Sequence, residues 1–292
     1  MKKTPFSGDD AKWMSLAVSE ALKARGRTSP NPIVGAVLVR GGKLLAKGHH
    51  RRAGLPHAEI EVLGRVKDPR GATLYVTLEP CCHMGKRTPP CTEAIVPSGI
   101  RRVVVGAVDP NPQVSGKGIA RLKRSGIRVD VGLLREECEE LNPFFNHWIV
   151  SGRPYVILKT AASLDGRVAL ANGRSRWISG ELSRARVHQL RGEVDGVLAG
   201  IGTVEADDPQ LTARHGAGAR QPVRIVLDPS FRISPKAKVL NSRSGSPCWV
   251  VVGSNRISPA KRAKLEKMKA EIIPAPLTKR GEFDLKGLLA IL

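Results

Sequence analysis

The chain has 292 residues, 41% of them apolar and 25% charged, which suits two domains with cores of their own and excludes wholesale disorder. No run approaches the roughly 20 uncharged apolar residues of a membrane helix, and residues 1–10 turn acidic where a signal peptide would carry its apolar stretch, so a soluble, cytoplasmic protein is expected. The 48 Lys and Arg against 26 Asp and Glu give a formal charge of +22, a balance that attracts anionic partners, nucleic acid or phosphorylated metabolites.

The elements can be taken in chain order. Residues 10–25 place Met14, Leu16, Val18, Ala21 and Leu22 at helical spacing behind acidic residues, which predicts an amphipathic helix. Apolar runs at 33–39 and 44–46 flank Gly41-Gly42 and read as a hairpin. The pattern then predicts a helix over 58–66, a strand over 73–78, a helix from 92 and a strand over 102–108. A helix over 118–125, a strand over 127–131 and a closing helix over 133–148 follow. A hairpin followed by strand–helix repeats implies a mixed sheet covered by helices on both faces.

Ser151-Gly152-Arg153-Pro154 is polar and breaks helices, so the domain boundary is placed there, with domains of 1–150 and 151–292. Strands are predicted over 155–161, 196–199, 223–227, 249–252 and 271–273, and helices over 181–191, over 259–269 and from 284. This second half is another α/β unit, in which Asp207-Asp208-Pro209 reads as a turn at a helix start. Residues 236–280 hold 11 Lys or Arg against Glu266 and Glu271, a basic face, while aromatics are only 4% of the chain and give no base-stacking platform. The last residues, Gly287-Leu288-Leu289-Ala290-Ile291-Leu292, form an apolar helical pattern with no cap and no following strand. A helix there is expected to lack a partner for its apolar face, and a truncated chain or an outside covering element would account for it.

Cysteines stand at 81, 82, 91, 138 and 248; an odd number with three so close together fits metal chemistry in a reducing compartment better than a disulfide framework. His57-Ala58-Glu59 stands before a helical run, Glu79-Pro80-Cys81-Cys82-His83 follows a strand, and Pro89-Pro90-Cys91 precedes a helix. This is the H-x-E…P-C…C order of zinc deaminases. One imidazole and two thiolates leave the fourth tetrahedral position of Zn²⁺ to water, which the metal acidifies. A carboxylate beside the metal then carries the proton from water to the departing amine; Glu59, two residues past His57, is placed for it. Singly, each of these residues is an ordinary buried cysteine or core histidine, and a closed structural zinc site with Cys82 or His83 as fourth ligand is the other reading.

Beyond these residues the chain resembles the RibD family, the bifunctional deaminase–reductases of riboflavin biosynthesis. The matching motifs include 28–35 (Thr-Ser-Pro-Asn-Pro-Ile-Val-Gly), Gly48-His49-His50, the zinc segment 80–91, Asp109-Pro110-Asn111-Pro112 and 114–118. In the second half they include Leu158-Lys159, Ser163-Leu164-Asp165-Gly166, Ser175-Arg176-Trp177-Ile178, Thr203-Val204 and Asp207-Asp208-Pro209. The resemblance implies a three-layer α/β/α cytidine-deaminase fold in front and a dihydrofolate-reductase-like α/β domain behind. It implies hydrolysis of the ring amine of 2,5-diamino-6-(5-phosphoribosylamino)pyrimidin-4-one, then NADPH-dependent reduction of the ribosyl group to ribityl. Zinc would be held by His57, Cys81 and Cys91, with Glu59 as proton shuttle and Asn31, His50, His83 and Lys86 on the substrate. Ala161, Trp177, Thr203 and Asp207 would contact NADPH, and Ser175, Arg191, Leu211 and Arg214 the reductase substrate.

The chain departs from the family in two places. An extra residue falls at Lys86-Arg87, either of which takes the basic role, and Cys82 stands where serine is common and is read as a neighbour of the ligands. The family's last segment lies beyond Leu292, so the reductase half is expected to be impaired if the chain ends there, and self-association is expected from the terminal helix. Two rivals remain: a deaminase acting on nucleic acid such as tRNA, and a zinc-stabilised nucleic-acid-binding protein without catalysis.

Overall fold

The structure, a computed structural model, describes residues 6–83, 89–175, 177–214, 220–241 and 244–292. The chain divides into two units, Met1–Tyr155 and Val156–Leu292.

In the first unit a five-stranded sheet runs in the order β2-β1-β3-β4-β5. Strand β1 (Gly35–Arg40) lies antiparallel to both β2 (Lys43–His49) and β3 (Thr73–Leu78). Strands β3, β4 (Arg102–Ala107) and β5 (Arg128–Val131) are parallel. Gly41 and Gly42 turn the hairpin with φ of +55° and +72°, the left-handed region that glycine enters without a Cβ clash. Alternation along the strands sends Ala36, Leu38, Leu74, Val76, Val103 and Val105 to one face. There they meet Ala58 and Val62 of α2 (Ala58–Leu63), Ile95 of α3 (Cys91–Ile95) and Leu122 of α4 (Lys117–Arg124). Val37, Val39, Tyr75 and Val104 face the other way, onto Met14 and Ala17 of α1 (Gly8–Leu22) and Cys138 of α5 (Arg135–Glu140). Burial on both faces gives the three layers.

A buried ion pair pins α1 to that sheet. Asp10 Oδ1 accepts from Tyr75 Oη at 2.6 Å and Arg102 Nη1 at 2.8 Å, while Oδ2 accepts from the Ser7 N–H at 2.7 Å. Arg102 Nε also donates to Asp130 Oδ2 at 2.6 Å, so β3, β4, β5 and α1 share one network. Burial alone would raise the Asp10 pKa; the hydrogen bonds from Arg102, Tyr75 and Ser7 outweigh it and hold the group at about 2.

The single closing helix predicted over 133–148 is corrected to two, α5 and α6 (Pro143–Ser151). Pro143 has no N–H to continue α5 and is well suited to the first turn of α6.

The second unit carries four parallel strands in sequential order: β6 (Gly196–Gly200), β7 (Val223–Asp228), β8 (Cys248–Gly253) and β9 (Ala270–Ala275). Val226, Val250, Val252 and Ile272 pack with Val204 of α8 (Ile201–Asp207) and Leu265 of α9 (Pro259–Lys267). Ile225, Val251 and Ala275 pack with Leu288 of the last helix, which we number α10 (Leu285–Ile291). Its start is capped by Asp284 Oδ1, which accepts from the Lys286 N–H at 3.2 Å. The expectation that this helix lacks a partner for its apolar face is therefore corrected at Leu288.

Two further expectations fail here. Residues 155–161 form no strand: they make no ladder, and Val156 and Leu158 stand exposed. An apolar run becomes a strand only where another strand takes its backbone groups. Asp207-Asp208-Pro209 closes a helix instead of opening one, since Asp207 is the last residue of α8 and Asp208 follows with φ +43°. Among the described residues no helix is long and apolar enough to cross a membrane.

Candidate functional site

His57 is the residue on which α2 starts; its extended backbone (φ −72°, ψ 165°) ends the preceding loop. Cys91 opens α3 behind Pro90, and Cys81 lies just past the end of β3. The Thr92 N–H donates to the Cys81 carbonyl at 3.2 Å and the Cys91 N–H to Cys81 Sγ at 3.4 Å, locking the strand end to the helix start. Tetrahedral zinc, with bonds of about 2.0 Å to nitrogen and about 2.3 Å to sulfur, sets N and S about 3.6 Å apart. His57 Nδ1 lies 3.2 Å from Cys91 Sγ and 3.6 Å from Cys81 Sγ, so the donor set fits the ion. Among the described residues it is the only group of three or more His, Cys, Asp or Glu within reach of one ion. Cys82 and His83 do not join it, and among the described residues no fourth His, Cys, Asp or Glu completes a closed structural site.

Glu59 is 3% exposed at the start of α2. Burial pushes its carboxyl up, against the lowering effect of His57. The Cys91 thiol is also pushed well up, by its hydrogen bond with Cys81 and by burial beside Glu59. A divalent cation is what such a cluster favours, because it stabilises the thiolates directly. Next to His57 opens a cavity of about 320 Å³ lined by Pro56, His57, Ile60, Pro89, Pro90 and Ala94, an apolar wall beside the ligand set.

Asn31 and His50 come together at one hydrogen bond, Asn31 Nδ2 to His50 Nε2 at 3.1 Å. His50 Nδ1 lies 3.0 Å from the Pro56 carbonyl, which makes it the protonated nitrogen and leaves Nε2 to accept. Burial lowers the His50 pKa and favours this neutral ring. The rings of His50 and His57 stand edge to face, 5.2 Å between centroids, so the Asn31–His50 pair adjoins the metal ligands. His83 is half-buried just past Cys82. Residues 84–88, Lys86 and Arg87 with them, lie outside the described residues.

Sequence reasoning assigned no role to Glu79. Its buried carboxylate accepts the N–H groups of Asp109, Gly116 and Ile119 at 3.3, 2.9 and 3.1 Å. A Cβ on Gly118 would come 2.1 Å from the Pro80 carbonyl, so the first turn of α4 presses directly on the segment that delivers Cys81. The signal was present in the Glu-Pro-Cys order, but the partners lie 30 to 40 positions away.

In the second unit the arginines gather first. Arg191, on α7 (Glu181–Glu193), donates to the Thr212 carbonyl at 3.2 Å, next to Leu211, and Arg214 Nη2 lies 3.1 Å from His188 Nε2 of the same helix. Burial, then the charge of Arg214, lowers the Arg191 pKa, the mark of two cations sharing one patch. Thr203 and Asp207 sit one turn apart on α8, where β6 ends. Ala161, Ser175 and Trp177 belong to the irregular stretch before α7, with Trp177 71% exposed under the Arg184 guanidinium, 4.4 Å from its ring centroid. The structure thus joins Arg191, Leu211 and Arg214 in one patch and leaves the residues expected at the cofactor, Ala161 and Trp177 before α7 and Thr203 and Asp207 on α8, on two separate stretches. The paired guanidinium groups suit a phosphorylated substrate, and the Thr203 hydroxyl with the exposed Trp177 indole suits a ring-bearing cofactor such as NADPH.

Comparison with known proteins agrees with this division. Residues 7–107 match the cytidine and deoxycytidylate deaminase zinc-binding region, and residues 154–292 match the RibD C-terminal domain. The riboflavin biosynthesis protein RibD of Aquifex aeolicus is 48% identical over 281 residues, covering 96% of this chain and 76% of that protein. The Acinetobacter baumannii RibD structure superposes with a TM-score of 0.83 at 39% identity, covering 97% of this chain and 76% of that one. A Thermotoga maritima diaminohydroxyphosphoribosylaminopyrimidine deaminase/5-amino-6-(5-phosphoribosylamino)uracil reductase gives 0.83 and 39%, over 96% and 76%. A zinc-deaminase front half and a RibD reductase back half, matched in that order along nearly the whole chain, place it in the RibD family, the bifunctional zinc- and NADPH-dependent deaminase–reductases of riboflavin biosynthesis.

Proposed function

We propose that the first unit hydrolyses the ring amine of 2,5-diamino-6-(5-phosphoribosylamino)pyrimidin-4-one and that the second reduces the ribosyl group of the product to ribityl. The observation that carries the first step is the three-ligand set His57, Cys81 and Cys91 with the buried Glu59 carboxyl beside it. These three side chains would hold zinc, and the metal, when bound, acidifies water to a nucleophile near neutral pH. Glu59 takes the proton from that water and passes it to the departing amine, which leaves as ammonia. Burial suits this traffic, because a raised carboxyl pKa lets one group both accept and give the proton. Asn31 and the neutral His50 read the pyrimidine edge with one amide and one imidazole, His83 joins them, and Lys86 meets an oxygen or phosphate of the substrate.

In the reductase unit Arg191 and Arg214 hold the substrate phosphate, with Ser175 and Leu211 flanking it. Ala161, Trp177, Thr203 and Asp207 would hold NADPH, which supplies the hydride. The exposed apolar side chains Leu158, Leu164, Val168, Leu170 and Leu182 of this unit support self-association as a homo-oligomer. Five cysteines, an odd number with three between positions 81 and 91, support a reducing, cytoplasmic setting.

Mass spectrometry of the reaction with the pyrimidine phosphate tests both halves. The expected result is loss of the amine in favour of a carbonyl without NADPH, and a further gain of two hydrogens with it. An unchanged substrate mass in zinc-loaded protein would overturn the deaminase assignment.

A further inference from the structure

We propose that Asn142 is a positioning residue for the deaminase reaction, acting through Asn31. Its side chain reaches across 109 positions to a single residue of the 28–34 loop. The Ile33 N–H donates to Asn142 Oδ1 at 2.7 Å, and Asn142 Nδ2 donates to the Ile33 carbonyl at 2.9 Å. One primary amide thereby takes the place of a neighbouring strand for one residue of a loop that needs it. Pro30 and Pro32 have no N–H to offer. The Asn31 N–H is used by the Thr28 carbonyl at 2.9 Å, which leaves Ile33 to fix the loop before β1 begins.

Both partners are buried, and Ile33 packs with Ala21, Ala24 and Leu141. The clamp is itself held on both sides: the Asn142 N–H donates to the Glu139 carbonyl at the end of α5, and its own carbonyl accepts from the Asn146 N–H in α6. Two residues before Ile33, Asn31 donates to His50 Nε2. The other end of the loop is tied as well, since the His50 N–H donates to the Val34 carbonyl at 2.9 Å. Asn142 thus sets where the Asn31–His50 pair stands beside the metal ligands while touching neither substrate nor metal. The proposal rests on the reading that Asn31 and His50 contact the pyrimidine.

The experiment measures ammonia release by the zinc-loaded full chain with the pyrimidine phosphate as varied substrate. Asn142→Ala is expected to raise KM about tenfold, with kcat within about threefold and zinc still near one per chain. Leu141→Ala loosens the same cluster without touching the amide; it should lower the unfolding temperature and leave KM within about twofold. In an Asn31→Ala chain, whose own KM is raised, adding Asn142→Ala should change KM by less than about twofold. Asn142→Asp keeps the acceptor for the Ile33 N–H and loses the donor to its carbonyl; its KM should lie between, and it replaces the alanine variant should that one not fold. An unchanged KM in the Asn142 variants, or a rise that multiplies in full on Asn31→Ala, overturns the clamp while Asn31 keeps its place. An unchanged KM in Asn31→Ala removes Asn31 from the substrate site, and the clamp falls with it.

Discussion

The two halves of this chain prepare their chemistry in opposite ways. In the first, His57, Glu59, Cys81 and Cys91 are wedged between strand ends and helix starts, each tied to another by a hydrogen bond or by direct contact. In the second, Trp177, Thr203 and Asp207 stand exposed on two separate stretches of the chain. A metal ion needs three donors at fixed separation, so its site has to be rigid before the ion arrives. A cofactor of NADPH's size is held by many weak contacts over a long surface, and its own binding can bring them together. Rigidity in front and openness behind follow from the size of the group each half must hold.

The largest effect that comparison predicts belongs to Glu59. Glu59→Gln keeps the shape and burial but cannot shuttle a proton, so ammonia release should fall by about 10²–10⁴-fold while zinc content stays the same. Ammonia release within tenfold of the parent would show that the rigid front site places its proton carrier elsewhere. Next comes the ligand set: Cys91→Ser should leave protein purified without chelator largely free of zinc, whereas Cys82→Ser should match the parent. Zinc lost from the Cys82 variant, measured by atomic emission, would mean that the set has been drawn around the wrong sulfur.

The second half should respond differently. Removing a guanidinium that binds a phosphate forfeits charge-assisted hydrogen bonds worth roughly 1.5–3 kcal/mol. Arg214→Ala should therefore weaken binding of the reductase substrate by about 10–100-fold, measured by calorimetry with the deaminated pyrimidine phosphate. Deamination by the same variant should be unaffected. A variant that binds as the parent does would separate Arg214 from the phosphate and leave Arg191 to be tested alone.

What was legible in the sequence follows the same divide. The first sheet shows in the apolar runs around Gly41-Gly42 and in the Val103-Val104-Val105 strand, because those residues are buried on both faces. The candidate ligands His57, Cys81 and Cys91 and the candidate proton carrier Glu59 show because they lie within one short stretch in an order that few other chemistries need. Elements that depend on distant partners did not show. Residues 155–161 have a strand's composition but no strand beside them, and α8 was missed because Gly202 and Thr203 weaken its helical pattern. Asn142 was invisible for the same reason: the residue it serves is 109 positions away. Pro143, by contrast, marked the break between α5 and α6 and could have been read.

The smallest effect concerns stability and isolates the rigidity of the front unit from its chemistry. Asp10 has a folded pKa of about 2 against an ordinary 3.8, so over that interval the unfolded chain binds the proton that the folded chain refuses. Stability from this group is complete above about pH 4 and drains away as pH falls towards 2, a total of about 2 kcal/mol at 1.36 kcal/mol per pH interval of shift. In urea titrations at pH 6, Asp10→Asn should be less stable than the parent by about that amount, and the gap should shrink steadily below pH 4. Zinc content should be equal in the two chains, because α1 and the Arg102 network sit on the opposite face of the sheet from α2 and α3. A gap independent of pH would mean that the loss comes from packing around Tyr75, and the ion pair would then add nothing to the platform beneath the metal ligands.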